Sequence, residues 1–174
     1  LVRPDIVLLV VWLFLTPYFF LTERKELINY FLLSNCIGMI WLLLSKNNIN
    51  YDTGFLSIKG HQVFVLLGWS LGLVFFRMLY SHLKPFFPVR NKILEFLVLA
   101  LLFGVLLMCV ESVGYHVFRI TNVLARGYQG LPLLDCIHGP LWLKIGYLCT
   151  GPLYVFLARL IIEKNQKKDE NVLA

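Results

Sequence analysis

The chain has 174 residues, of which 59% are hydrophobic and only 15% are charged, and its formal net charge is +6. A soluble domain usually has about a quarter of its residues charged. A soluble core of this length cannot hide so much apolar surface, so lipid is expected to surround most of the chain. The composition therefore predicts an all-α integral membrane protein. The basic balance fits side chains beside anionic lipid headgroups, with no nucleic acid as partner.

Five apolar segments are long enough to cross a bilayer. Each has close to the ~20 residues that a helix needs to span a hydrocarbon core of ~30 Å. Helices are expected because lipid offers no partner to open backbone groups, and no segment has the alternation of a barrel strand. The predicted spans are residues 5–21, 26–45, 60–80, 93–111 and 141–162. Residues 1–162 are therefore expected to form one transmembrane helical domain, followed by a solvated tail at residues 163–174.

The first span has the length of a signal peptide, but its flanks differ from one. It lacks a sizeable basic region before it, and the charged run T-E-R-K-E at residues 22–26 follows it in place of a small-residue cleavage site. We therefore expect this span to be a retained helix.

Five crossings place the two termini on opposite sides of the membrane. Assigning lysines and arginines to sides by parity gives six on the N-terminal side and ten on the C-terminal side. Cytoplasmic loops carry the excess of these residues. The sequence therefore predicts a multi-pass protein with a non-cytoplasmic N-terminus and a cytoplasmic C-terminus.

A polar stretch, residues 111–138, separates the fourth and fifth spans and is called here the polar island. Ionisable groups near hydrocarbon are costly, so a function is expected here first. By parity, Asp52 and His61 belong to the same side of the membrane, whereas His82 lies on the other. The ionisable residues of the polar island are Glu111, His116, Arg119, Arg126, Asp135 and His138.

The spacing at the start of the polar island suggests one helical face. If the fourth helix continued, Tyr115 and Arg119 would follow Glu111 at i+4 and i+8. A buried Glu111 would then either ionise beside a partner such as Arg119 or stay protonated as a proton donor.

The end of the polar island leads into the fifth span. Asp135 and His138 are three residues apart, and Pro140 suits the first turn of the next helix. Both side chains are therefore expected at the same mouth of the bundle. The sequence G-Y-Q-G-L-P at residues 127–132 is typical of a loop, which we expect to fold back over this mouth.

These residue types favour a small membrane enzyme or binder that acts on a lipid or isoprenoid entering from the bilayer. The predicted catalytic residues, which supply carboxyl and imidazole groups for proton transfer, are Glu111, His116, Asp135 and His138. The predicted substrate-binding residues are Tyr115, Arg119 and Arg126, with the two guanidinium groups holding an anionic headgroup or phosphate.

Two other interpretations of the polar island stay open. Membrane helices often end in tyrosine, arginine and histidine at the headgroup level, so Tyr115, Arg119 and Tyr128 also fit an interfacial belt. Alternatively, the chain is a non-catalytic subunit of a larger membrane complex, and the polar island contacts a membrane protein partner. The small size and the lack of a large soluble domain suit this second function equally well.

No cofactor is identified from the sequence, and no metal site is predicted. The chain has no H-E-x-x-H, P-loop or G-x-S-x-G motif, and its histidines do not form a facing pair for haem. Cys109 and Cys136 are both expected near the mouth. They would form a disulfide if that side of the membrane is oxidising, and otherwise they would be free thiols with a packing role. Gly68 and Gly72 form a G-x-x-x-G pattern, which predicts close helix packing within the monomer.

Overall fold

A computed structural model describes residues 3–22, 25–51, 56–87, 91–125, 127–131 and 134–163, and the chain is mostly helical (76%). Five helices are long and apolar enough to cross a membrane, which confirms the number of predicted spans and most of their bounds within a few residues. These helices are α1 (Pro4–Leu21), α2 (Lys25–Leu44), α3 (Val63–Leu83), α4 (Lys92–Ser112) and α5 (Leu141–Ala158).

A short hairpin precedes α3, which is why this helix begins later than the predicted residue 60. Strands β1 (Ser57–Ile58) and β2 (His61–Gln62) pair antiparallel. The two residues between them, Lys59 and Gly60, have φ values of 51° and 78°. Two positive φ values are what a tight two-residue hairpin turn requires. His61 therefore lies in a strand and not in the first turn of the helix.

The hairpin region is tied to the start of α1 through a buried carboxylate. Asp5 accepts a hydrogen bond from the backbone N–H of Leu56 at 3.0 Å and forms an ion pair with Arg3 at 2.7 Å. Burying a carboxylate is costly unless it is hydrogen-bonded or paired, and both conditions are met here. The contact fixes one end of α1 against the connection between α2 and α3.

Helix α3 packs along α2 and against α1, whereas α4 packs against α5. The close approaches depend on glycines. A Cβ on Gly38 of α2 would lie 2.9 Å from Oγ of Ser70 on α3, and a Cβ on Gly151 of α5 would overlap the Phe103 ring of α4. Side chains larger than hydrogen at these two positions would push the helix pairs apart.

Gly68 and Gly72 do not have the predicted packing role. A Cβ added to either glycine would meet no atom within 4 Å in the described structure. The G-x-x-x-G pattern is therefore exposed to open space on α3, and the expectation that it packs against another helix of the monomer is wrong. The small residue between them, Ser70, is the one that contacts α2.

Aromatic rings join three helices at the centre of the bundle. The indole rings of Trp41 on α2 and Trp69 on α3 stack with 4.9 Å between centroids, and Tyr147 of α5 meets both rings edge-on. Trp41 also donates a hydrogen bond from Nε1 to Oγ1 of Thr150 on α5 at 2.9 Å. Since the indole N–H is satisfied, the tryptophan is buried without an unpaired donor.

An ion pair joins the helices at the opposite end from the polar island. Arg159, just after α5, donates to both carboxylate oxygens of Glu95 on α4 at 2.9 and 2.6 Å. The hydroxyl of Tyr80 on α3 donates to Glu95 at 2.5 Å and accepts from Arg159 at 2.9 Å. Because each charged group has a partner at close range, the three side chains form one closed network.

We predict that Glu95→Gln lowers the free energy of unfolding by about 1–3 kcal/mol, because Arg159 then loses its charged acceptor while partly buried. Reversible unfolding in mixed micelles measures the change. Lys92→Gln is the matched control, since Lys92 is exposed in the same turn and should change stability by less than about 0.5 kcal/mol. Equal stability of the two variants would contradict the prediction.

Candidate functional site

A cavity of about 380 Å³ lies between α3 and α4, with Tyr147 of α5 at its back and Leu8 of α1 on its rim. Phe103 bounds it on the side of the Glu95 network, where its ring contacts Trp69 and Phe76. We call this space the α3–α4 cavity. Most of its wall is apolar, which is typical of sites for small hydrophobic molecules.

The α3–α4 cavity opens on the side of the helix bundle. Two of its lining residues, Phe75 of α3 and Val110 of α4, are 56% and 61% exposed. Gly68 and Gly72 line the space between these helices, and each leaves room that a larger side chain would fill. The two glycines of α3 therefore leave part of the cavity wall without side chains.

The polar groups of the wall are concentrated at the end nearest the polar island. Glu111, in the last turn of α4, is partly buried and has no hydrogen bond or ion pair with any described residue. The hydroxyl of Tyr147 likewise has no partner in the described part of the chain, although the residue is buried. Unpaired polar groups on an apolar wall can bind the polar group of a ligand.

Two more tyrosines complete this end of the cavity. Tyr115 accepts a hydrogen bond on its hydroxyl oxygen from the backbone N–H of Asn122 at 3.4 Å. Burial raises the pKa of the Tyr51 phenol well above its usual value, and the nearby Glu111 carboxyl raises it further. The Tyr51 hydroxyl is therefore protonated at neutral pH and can donate a hydrogen bond. The sequence analysis predicted Glu111 and Tyr115 as site residues, and both line the cavity.

The predicted face of Glu111, Tyr115 and Arg119 does not form. Helix α4 ends at Ser112 and is followed by one π-helical turn at Val113–Val117, in which the N–H of Phe118 bonds to the carbonyl of Val113 at 3.2 Å. A π turn holds an extra residue and breaks the i+4 spacing. Arg119 is exposed with a φ of 55° and forms no ion pair with Glu111 in the described structure, so the first of the two alternatives given for Glu111 is not found.

Three side-chain amides lie beside the polar end of the cavity and bond to one another or to the backbone of residues 48–51. These amides, of Asn50, Gln62 and Asn122, together with the carbonyl of Asn48 are called here the amide cap. Asn122 accepts from the N–H of Asn50 at 2.9 Å and donates to the carbonyl of Asn48 at 2.8 Å. Gln62 bonds to both the N–H and the carbonyl of Tyr51 at 2.9 Å. The amide cap thus holds Tyr51 in the cavity wall and fixes the polar island to the α2–α3 connection.

Asp135 and His138 come together, as predicted, but behind the cavity wall. His138 Nε2 lies 3.0 Å from Oδ1 of Asp135, and the imidazole packs against the Tyr115 ring with 4.9 Å between centroids. Neither residue lines the α3–α4 cavity. Asp135 and Ile137 have φ values of 43° and 57°, and residues held in such uncommon conformations cluster at functional sites. Through Tyr115, the pair contacts the cavity wall indirectly.

Of the remaining predicted residues, His116 and His61 do not line the cavity. His116 is exposed, and its Nε2 lies 2.9 Å from the carbonyl of Leu134, so it joins the π turn to the following loop. Arg126 and Asp52 lie outside the described residues, so their roles stay predictions. His61 is partly buried in β2, with no partner for its Nδ1 in the described structure.

The predicted loop over the mouth contacts Asp135 and His138. A Cβ on Gly130 would lie 2.7 Å from Oδ1 of Asp135 and 2.9 Å from Nε2 of His138, so only glycine fits against this pair. None of the described loop residues 127–131 lines the cavity. Tyr51, Tyr115 and Ile120 line this end of the cavity in its place.

The sequence analysis missed Tyr51, Trp69 and Tyr147, which line the cavity. Each is an aromatic residue in an apolar context, where a packing role is the ordinary expectation. The sequence did contain one signal, the pair of glycines on α3. The pair indicates a helix face without side chains, but a neighbouring helix and a ligand could each fill that space.

Neither a metal centre nor a disulfide is found in the part of the chain that the structure describes. No group of three or more histidine, cysteine, aspartate or glutamate side chains there is placed to hold a metal ion. Cys109 is exposed and Cys136 is buried, and both are free thiols. The chain matches no protein-family model, no curated protein sequence and no solved structure.

We predict that Asn122→Ala speeds amide hydrogen exchange at Asn50 by about tenfold or more, because the lost hydrogen bonds are worth about 1–3 kcal/mol. Hydrogen exchange followed by mass spectrometry measures the rate. Thr121→Ala is the control, since Thr121 makes no side-chain hydrogen bond among the described residues. The amide cap would lose its assigned role if Asn50 exchanged equally fast in both variants.

Proposed function

We propose that the chain is a multi-pass integral membrane protein that binds the hydrocarbon chain of a lipid or isoprenoid in the α3–α4 cavity. The observation that carries the proposal is an apolar cavity with an unpartnered carboxyl group, Glu111, at one end. An apolar site with few polar groups at one point binds and orients an amphipathic molecule. The five apolar helices support residence in a membrane.

The size of the cavity limits what it holds. A cavity of about 380 Å³ lies at the lower end of the roughly 300–1,000 Å³ of small-molecule sites, so it holds part of a lipid molecule and not a whole one. A longer chain would continue through the opening between Phe75 and Val110 into the surrounding lipid. We therefore propose that the ligand enters from the bilayer, polar end first.

The distribution of lysine and arginine supports an orientation. With six of these residues on the N-terminal side and ten on the other, the positive-inside rule favours a cytoplasmic C-terminus. The polar end of the cavity would then lie in the non-cytoplasmic leaflet.

If the protein is an enzyme, Glu111 is the group best placed for proton transfer to a bound molecule. It is the carboxyl group on the cavity wall, and acid–base catalysis requires hydrogen-bond reach of the reacting atom. Asp135 and His138 contact the wall only through Tyr115 and would be positioning residues. The proposed anionic-headgroup role of Arg119 receives no support from its exposed position.

Exposed side chains of the polar island support the subunit function as a second candidate. His116, Arg119 and Tyr128 are exposed at the same end of the bundle, where a partner protein has access to them. This function needs no occupied cavity, so filling the cavity separates the two candidates.

We predict that Gly68→Leu and Gly72→Leu each reduce co-purified lipid by about tenfold or more. An added Cβ at either position meets no atom within 4 Å, so the leucine side chain extends into the cavity and takes the place of ligand. The loss of contacts for several carbon atoms, at about 0.8 kcal/mol each, exceeds a factor of ten in affinity. Quantitative mass spectrometry of lipid extracted from the purified protein measures the change.

Gly127→Leu is the matched control, because Gly127 also has open space around it but lies outside the cavity. The helical variants should unfold no more easily than the wild type, since leucine favours a helix over glycine by about 1 kcal/mol. Unchanged lipid in stable Gly68→Leu and Gly72→Leu proteins would contradict the proposed function and leave the subunit candidate.

A further inference from the structure

The polar end of the α3–α4 cavity has a set of hydrogen-bonding groups that selects one kind of ligand. Glu111 offers carboxyl oxygens, and Tyr147 offers a hydroxyl group, neither with a partner among the described residues. We infer that the group bound beside Glu111 is the hydroxyl of a long-chain alcohol. This inference rests on the proposed function, because it names the ligand of the same cavity.

Charge argues against a lipid with an anionic end at this place. No lysine or arginine among the described residues lines the cavity, and Arg119 is exposed outside it. A phosphate or carboxylate beside Glu111 would put two acidic groups together in apolar surroundings without a counter-charge. At least one of the two acidic groups would have to take up a proton, and the free energy of this protonation weakens binding.

The balance of donors and acceptors favours a hydroxyl group over an amine. A hydroxyl both donates and accepts, so it can donate to Glu111 and accept from the Tyr147 phenol at the same time. The Tyr115 oxygen already accepts from Asn122, which leaves its proton for a second hydrogen bond with an acceptor. An ammonium group can pair with Glu111, but it has three donors and no acceptor, so it offers no acceptor to the phenol proton of Tyr147.

The amide cap also restricts the size of the polar group. Asn122 and Gln62 use their side-chain amides on the backbone of residues 48–51, so these amides are occupied, and neither residue lines the cavity. The polar side chains that line this end are Glu111 and the three tyrosines, which match a small polar group. A large headgroup would require the amide cap to open.

The test uses three probes that share a twelve-carbon chain and differ in the end group: dodecan-1-ol, dodecylamine and dodecanoate. Each is radiolabelled and titrated onto the full chain in nanodiscs of phosphatidylcholine, and binding to empty nanodiscs is subtracted. We expect dodecan-1-ol to bind at least about tenfold more tightly than dodecanoate, which is the effect of one well-matched hydrogen bond against an unpaired group. We also expect it to bind more tightly than dodecylamine.

Three variants and one control locate the binding. Tyr147→Phe and Glu111→Leu should each weaken dodecan-1-ol binding severalfold to tenfold. The control is Tyr128→Phe, which should leave binding unchanged because Tyr128 is exposed and lies outside the cavity. Gly72→Leu should abolish binding of any probe. Circular dichroism and thermal unfolding of each variant exclude loss of fold as the cause, and Tyr147→Phe preserves the ring and its packing.

The outcomes separate the inference from the proposed function. Tighter binding of dodecylamine or dodecanoate than of dodecan-1-ol, with loss in Gly72→Leu, overturns the hydroxyl inference and retains the lipid cavity. Equal binding of all three probes to the wild type also overturns the inference. Failure of every probe to bind, or binding that survives Gly72→Leu, overturns the proposed function itself.

Discussion

The ring of Phe103 fixes the distance between the two halves of the helix bundle. On one side it lies against Gly151 of α5, where no larger residue fits, and on the other it contacts Trp69 and Phe76 of α3. From this level toward the polar island the cavity lies between α3 and α4, and Gly68 and Gly72 provide no side chains to fill it. The α3–α4 cavity follows from this one aromatic contact and from the glycines above it.

An empty apolar cavity of this size is costly, because protein interiors are otherwise packed like organic crystals. A lipid chain removes that cost by restoring van der Waals contacts with the walls, and a ligand that binds only the folded state also stabilises it. The Glu95–Arg159 ion pair at the opposite end and the amide cap at the near end keep the helices from closing on the space. The two polar networks therefore hold the helices around the cavity, although the cavity wall itself is mostly apolar.

The five helices could be predicted from the sequence because the length and apolarity of a span are local properties. Glu111 and Tyr115 could be predicted as site residues because a carboxyl group at the end of a long apolar helix is unusual. The pairing of Asp135 with His138 followed from their spacing. The site role of these residues remains a prediction, while their positions are features of the fold.

The rest depended on long-range contacts. Glu95 meets Arg159 across 64 positions of sequence, and no local pattern links them. The amide cap joins Asn50 to Asn122 in the same way, so the asparagine-rich connection after α2 could only be read as a loop. The π turn after α4 removed Arg119 from the face of Glu111, because one extra residue changes which side chains align. The glycines of α3 were misread because a face without side chains suits a helix and a ligand equally.

A structure from crystals grown in a lipidic mesophase tests the central claim most directly, because it shows the α3–α4 cavity while lipid is present. The account predicts elongated density that enters between Phe75 and Val110, passes Gly72 and ends within hydrogen-bond distance of Glu111. A structure in which α3 packs against α4 with Gly72 in contact, so that no space is left beside Glu111, would contradict it.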